Sequence, residues 1–282
     1  MSRRLEVSKY QASGNDFLIV GELDAVVEEL DVPSLCDRWM GVGADGLIRV
    51  GRGSAAAFSF ALTNADGSPA AMSGNGMRCL GAWLRDREHV ANGASFDVDT
   101  PAGVRHVWLT LDGATVAMGR PNFTLAAIPM RGPAWETFRD QPFDVGDGRT
   151  LSATALSMGN PHLVLFTDED PERYHLEHIG PALEHHERFP ERTNVELARV
   201  AGDGAIDVRV WERGVGETLA CGTGACAVAV VANEMERAGD EVVVRFRGGP
   251  LHVERRMDGE VLLGGPVAHV FDAVVDLDEI GA

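Results

Sequence analysis

Two glycine-rich turns carry the side chains best suited to chemistry: Ser73-Gly74-Asn75-Gly76 and Cys221-Gly222-Thr223-Gly224, 148 positions apart. Each opens on a small hydroxyl or thiol side chain and precedes a stretch of helical character. The free N–H groups and positive dipole end of a helix start make such a turn an anion site, and its glycines let the backbone approach a ligand closely. Two such turns imply two half-sites facing one substrate and clamping its carboxylate. A thiol at a helix N-terminus has its pKa lowered by the dipole and the nearby N–H groups, so Cys221 is expected to be a reactive thiolate. Cys79 and Cys226 fall inside the following helices and read as inert buried thiols. A thiolate beside a doubly bound carboxylate suits removal of a proton from the adjacent carbon, with the N–H groups stabilising the carbanion as an oxyanion hole would. A second group returning the proton on the opposite face inverts the configuration.

The rest of the composition narrows the chemistry. A formal charge of −18 and the lack of a long basic run exclude a nucleic-acid partner. No stretch is apolar enough for a membrane helix, and the first residues lack the apolar run of a signal peptide, so a cytoplasmic protein is expected. Lys9 is the sole lysine and stands in a first strand with no phosphate loop nearby, which disfavours pyridoxal phosphate chemistry. Cys36, Cys79, Cys221 and Cys226 have neither zinc-ribbon nor redox spacing and read as free thiols. His175, His178, His185 and His186 lie among Glu and Arg, where a solvated helix face outweighs a metal site. No cofactor and no metal are therefore expected.

A second internal echo extends the first. Gly14-Asn15-Asp16-Phe17-Leu18-Ile19-Val20 matches Gly159-Asn160-Pro161-His162-Leu163-Val164-Leu165, with Asn15 and Asn160 offset by 145. Similar offsets in the same order indicate a duplicated domain. In the first half, strands are expected over Leu5–Gln11, Phe17–Val20, Gly46–Val50 and Ala57–Thr63, around a short helix over Pro33–Met40. A longer helix follows over about Gly76–Val90, then strands over Ser95–Asp99, Arg105–Leu111 and Ala114–Met118, the last two joined by the Asp112-Gly113 turn. Pro121, Pro129 and Pro133 mark Arg120–Pro133 as a linker. Beyond it, strands are expected over Thr150–Ser157, His162–Phe166 and Ile206–Trp211, with a helix over about Ile179–His186. An all-round apolar helix after Cys221 must be buried. Hairpins over Val242–Arg247 and Leu251–Gly265 lead to a last strand over about Ala268–Val275. The expected fold is α+β: two pseudo-symmetric domains, 1–122 with 268–282 and 123–267, each a largely antiparallel sheet or barrel wrapped round a central helix.

These turns belong to a longer set of motifs: SGNDF at 13–17, GVGADG at 41–46, NADGS at 64–68, SGNGMRC at 73–79, SMGNPH at 157–162, RTNVE at 192–196 and WERGVGETLACGTGAC at 211–226. Seven in this order, over nearly the whole chain, resemble the diaminopimelate epimerases, cofactor-independent two-base enzymes of lysine and peptidoglycan precursor synthesis. The resemblance implies that Asn15, Asn64, Asn160 and Asn194 bind the amino and carboxylate groups of the substrate, with Glu212 and Arg213 completing its recognition. It implies that Gly74, Asn75, Gly222 and Thr223 donate backbone N–H groups to the reacting carboxylate, that His162 and Glu212 tune the two catalytic thiols, and that the enzyme is a homodimer. Read bottom-up, Asn64 could simply initiate its turn and His162 could be a satisfied core histidine. The chain departs from the family at Ser73, where the first catalytic cysteine normally stands, and less sharply at Gly46, where some members carry an amide. A serine hydroxyl is a poor general base at neutral pH, although Ser is a favoured helix N-cap. Ser73 and Cys221 are thus the expected catalytic pair, with inversion slowed by the serine. The rival readings are a proline racemase or hydroxyproline epimerase, in which a His typically stands where Asn75 does, and a non-catalytic amino-acid binder.

Overall fold

The computed structural model describes residues 3–21, 23 and 30–280. The chain forms two compact units, Met1–Ala117 with Gly264–Ala282, and Met118–Leu263. The first contains β1 (Arg4–Ala12), β2 (Asn15–Gly21), α1 (Val32–Cys36), β3 (Gly46–Arg52), β4 (Phe58–Asn64), β5 (Pro69–Ala70), α2 (Gly74–Asp86), β6 (Ser95–Thr100) and β7 (Gly103–Leu109). The chain leaves it within β8 (Gly113–Gly119). The second contains β9 (Gln141–Asp144), β10 (Thr150–Ser157), β11 (Pro161–Phe166), a 3-10 turn (Pro171–Arg173), α3 (Leu176–Glu184), β12 (Asn194–Val200), β13 (Ile206–Glu212), β14 (Gly216–Thr218), α4 (Gly222–Glu234), β15 (Glu241–Phe246) and β16 (Gly249–Arg255). It ends within β17 (Val261–Pro266), after which β18 (Ala268–Asp276) completes the first unit by pairing antiparallel with β1.

Strand pairing repeats from one unit to the other. In the first, β1 and β2 are antiparallel, β2 and β3 parallel, β3 and β4 antiparallel, β4 and β6 parallel, β6 and β7 antiparallel. In the second, β10, β11, β12, β13, β15 and β16 follow the same sequence of orientations. The parallel pairs occur where a helix lies between the strands, because parallel neighbours need a long crossover. The remainder is antiparallel, so the α+β, helix-centred reading holds for each unit.

The central helices are buried for compositional reasons. Residues Gly74–Leu84 of α2 are all buried, and α2 packs against β1, β2, β3, β4, β7 and β18. In α4, every residue from Ala225 to Ala232 is buried, with β10, β11, β12, β15 and β16 around it. Small Ala and Val side chains on every side let strands approach the helix from several directions at once.

Three sequence expectations need correction. The Pro-rich stretch is no linker: Leu125, Ile128 and Met130 belong to the apolar core of the second unit, and backbone bonds run from Leu125 N to Glu136 O and from Met130 N to Leu125 O. The prolines punctuate an irregular but packed segment, and the chain crosses between units inside β8 and β17. Helix α1 stops at Cys36 rather than Met40, because the Asp37 carboxylate takes the N–H groups of Trp39 (2.7 Å) and Met40 (2.6 Å). Helix α2 stops at Asp86 rather than Val90, where Glu88 turns left-handed at φ 59°. Strand β12 was missed, since all of Asn194–Ala198 is buried and shows no alternation.

A tight contact inside the second unit gives a stability test. A Cβ on Gly180 of α3 would lie 2.5 Å from the Trp211 ring, which is itself fixed by a 2.8 Å bond from its Nε1 to Glu184. Helix propensity alone would make Gly180→Ala stabilising by about 1 kcal/mol. Overpacking outweighs that gain, so urea unfolding is expected to show a net loss of about 1–3 kcal/mol, and a gain in stability would contradict this packing.

Candidate active site

In the second unit the end of β13 and the start of α4 converge. Cys221 is the N-cap of α4, with φ −125° and ψ 119°, and its Sγ accepts the N–H of Gly224 at 3.4 Å. The hydroxyl of Thr223 also stands 3.4 Å from that sulfur. Asn160 Nδ2 donates to Thr223 Oγ1 at 3.3 Å, and Asn160 Oδ1 meets His162 Nε2 at 3.0 Å. His162 Nδ1 pairs with Glu196 Oε1 at 2.7 Å, both side chains being fully enclosed. The parallel register of β11 and β12 sets His162 beside Asn194. Asn194 donates to the Pro161 carbonyl at 2.7 Å and accepts the Arg213 N–H at 2.9 Å, so its amide fixes the turn after β13. Buried Glu184 steadies the same turn by accepting the Gly214 N–H at 2.8 Å. The Arg213 residue is exposed, and among the described residues its guanidinium has a long 3.4 Å contact to the Glu191 carbonyl. Such a fork suits a carboxylate ligand.

In the first unit, Ser73 caps α2 by the same geometry, its Oγ accepting the Gly76 N–H at 3.1 Å. Asn75 Nδ2 donates to Asn15 Oδ1 at 3.3 Å, while wholly buried Arg78 donates to Asn75 Oδ1 at 2.9 Å and to Ser13 Oγ at 3.3 Å. Asn15 in turn donates to Asp45, which is held by Arg38 at 2.7 Å. The structure thus gathers Ser73, Gly74, Asn75 and Asn15 through side-chain bonds and one shared turn. Asn64 lies at the end of β4, where its Nδ2 donates to Ser68 Oγ at 3.0 Å and its carbonyl accepts the Gly67 N–H at 2.9 Å. It therefore does initiate its turn. At Gly46 a Cβ would lie 2.7 Å from the Thr63 carbonyl oxygen, so this backbone leaves no room for an amide there.

The electrostatics overturn one expectation. Burial, reinforced by the negative charges of Glu212 and Glu196, pushes the Cys221 thiol well above its ordinary range. The bonds from Thr223 and the Gly224 N–H oppose this without reversing it. Cys221 is therefore held as a thiol rather than as the thiolate that its helix-terminal position suggests, because desolvation penalises the charged form more than one turn of helix supports it. Burial also raises the Glu212 carboxyl, whose hydrogen-bonding neighbours are Thr218 and Cys221. Cys36 and Cys79, pushed up by burial to about 11 and about 12, read as inert.

Among the charged residues at the site, Glu196 and Arg78 have no role in the sequence reading beyond their place in motifs. The signal available for Glu196 was the repeat itself, since its partner 148 positions earlier is Ile48. Among the described residues, the one group of three metal-type ligands within 4.8 Å is His175, Glu177 and His178, all exposed and away from these turns in sequence.

Comparison with known proteins places the chain in a family. The family model described as diaminopimelate epimerase matches residues 7–124 and 154–270. A diaminopimelate epimerase of Synechococcus sp. (strain JA-3-3Ab) is 43% identical over 281 residues, covering 96% of this chain and 98% of the relative. The chloroplastic diaminopimelate epimerase of Oryza sativa subsp. japonica is 41% identical over 281 residues, covering 95% of this chain and 79% of the relative. Among solved structures, a hydroxyproline epimerase from Agrobacterium vitis with bound trans-4-OH-L-proline superposes with TM-score 0.72 at 14% identity, covering 99% of this chain and 94% of that one. At that identity the likeness speaks for the fold alone.

The raised thiol has a measurable consequence. Alkylation proceeds through the thiolate, so labelling of Cys221 by iodoacetamide, followed by mass spectrometry, is expected to be at least about tenfold slower at pH 7 than for free cysteine. The rate should still be climbing past pH 9. A plateau below pH 8 would show that the dipole prevails over burial.

Proposed function

The chain belongs to the diaminopimelate epimerase family, and we propose that its two half-sites act together to move the α-proton of diaminopimelate, interconverting the LL and meso isomers. The observation that carries this reading is the Cys221 turn: a thiol capping a buried helix, beside a carboxyl of raised pKa, among amides and an exposed guanidinium. Its near full-length kinship with named diaminopimelate epimerases supports the substrate. The hydroxyproline epimerase alternative has only fold likeness behind it.

In the proposed reaction the substrate carboxylate sits at the helix-start N–H groups of Gly222 and Thr223, and those of Gly74 and Asn75. Arg213 takes a distal carboxylate, and Asn15, Asn64, Asn160 and Asn194 orient the polar ends. Cys221, resting as a thiol, is ready to deliver a proton to the carbanion. To work as the base it first passes that proton to Glu212, whose raised pKa suits it to hold one. The Cα–H electron pair then moves into the carboxylate as the new S–H bond forms. The other proton position falls to Ser73, whose hydroxyl is far harder to deprotonate than a thiol and so is a poor general base at neutral pH. His162 stands on the Cys221 side, joined to Thr223 through Asn160. No cofactor enters the scheme, and the family reading carries with it a cytoplasmic homodimer.

Exchange and inversion should therefore come apart. In heavy water with meso-diaminopimelate, deuterium is expected to enter the reacting carbon faster than the isomers interconvert, and Cys221→Ala is expected to abolish both. Ser73→Cys should raise interconversion by about 10²-fold or more, the usual range for supplying a competent general base. Ordinary two-thiol rates in the Ser73 protein would refute the assigned handicap, and binding without exchange would favour a non-catalytic binder.

A further inference from the structure

Strand β12 carries a carboxylate that the proposed reaction does not use. All of Asn194–Ala198 is buried, and Glu196 in its middle is 0% exposed. One oxygen pairs with His162 Nδ1 at 2.7 Å, and the other, Oε2, is enclosed with no hydrogen-bond partner among the described residues. Burying a carboxylate so incompletely satisfied is costly. The duplicated half avoids that cost. There Phe17 stands in place of His162 and Ile48 in place of Glu196, and a Cβ on Gly76 would meet Ile48 Cδ1 at 3.3 Å. In the second half the corresponding Cβ on Gly224 would lie 2.7 Å from Glu196 Oε1 and 3.4 Å from Cys221 Sγ. Glycine at 224 thus admits the carboxylate directly behind the Cys221 turn.

From Glu196 a continuous series of contacts reaches the sulfur: His162 at 2.7 Å, Asn160 at 3.0 Å, Thr223 at 3.3 Å and Cys221 at 3.4 Å. We propose that Glu196 is a positioning residue: its buried carboxylate holds the proton of His162 on Nδ1, and through that ring it orients Asn160 and Thr223 against Cys221. The Glu196 and Asn160 oxygens can only accept, so a ring bonded to both carries a proton on each nitrogen and its plane is fixed between them. The Asn160 amide then has one orientation, oxygen toward His162 and nitrogen toward Thr223. The catalytic consequence rests on the epimerase reading given above, whereas the hydrogen bond does not.

The test uses the full chain labelled with ¹⁵N-histidine and the variant Glu196→Gln, with His162→Asn to assign the signal. A deshielded, slowly exchanging proton on His162 Nδ1 is expected in the unaltered protein and is expected to vanish or move far upfield in Glu196→Gln. Deuterium exchange into meso-diaminopimelate should fall by about 10²-fold or more in kcat, with KM within about threefold, as for loss of a group that orients a catalytic imidazole. Urea unfolding of the variant shows whether the effect follows mere loss of structure. Absence of the Nδ1 proton from the unaltered protein, its persistence in Glu196→Gln, or unchanged exchange in a folded variant would each overturn the proposal. Should Glu196→Gln fail to fold, the unaltered spectrum alone decides: the proton present supports the assignment and its absence defeats it. If the unaltered protein exchanges nothing, the epimerase reading falls while the spectrum still judges the bond.

Discussion

Each half of this protein is organised by one local hydrogen bond, from the N–H of a turn glycine back to the side chain three residues before it. In one half the acceptor is the Ser73 oxygen, in the other the Cys221 sulfur. That bond starts a central helix, satisfies one of the amides a helix leaves open, and sets the capping atom at the positive end of the dipole. The first-turn amides still lack partners within the helix, so the backbone is already suited to an anion. The sheet can then close round the helix because most residues behind the cap are small or apolar, and the polar exceptions, Arg78 and Glu196, are held by hydrogen bonds. The same geometry that begins the fold therefore presents the chemistry.

The halves share this backbone and differ in charge. Phe17, Gly46, Ile48 and Asn64 in the first correspond to His162, Asn194, Glu196 and Glu212 in the second. At these four positions one copy carries no ionisable group; the other has an imidazole and two carboxyl groups. Burial first, and the acidic neighbours second, push the Cys221 thiol up despite its helix-terminal place. Such asymmetry suits a reaction whose two proton positions differ in strength.

Local features were legible in the sequence, while effects set by distant neighbours were not. The turns at 73–76 and 221–224 announced themselves through glycines and capping side chains, and the strand β10 could be read to its ends because its flanks change character abruptly. The capture of two amides by Asp37 shortened α1, and a left-handed Glu88 shortened α2, both outcomes that periodicity does not encode. The protonation of Cys221 depends on enclosure and on Glu212 and Glu196, which are 9 and 25 residues away in sequence. Glu196 itself lies in a run buried on both faces, where alternation gives no sign of what a charged residue is for. The motif RTNVE marked its position but not its partner.

The return of β18 to the first unit bears on how the molecule comes into being. The second unit is one uninterrupted run, Met118–Leu263, whereas the first draws its final strand from Gly264–Ala282. During synthesis the residues that flank β1 emerge only after the second unit, so the half that begins earlier at the ribosome must wait for the half that follows it. Until then the β1 edge facing β18, together with Val7 and Leu5, is uncovered. The order of assembly is thereby the reverse of the order of translation.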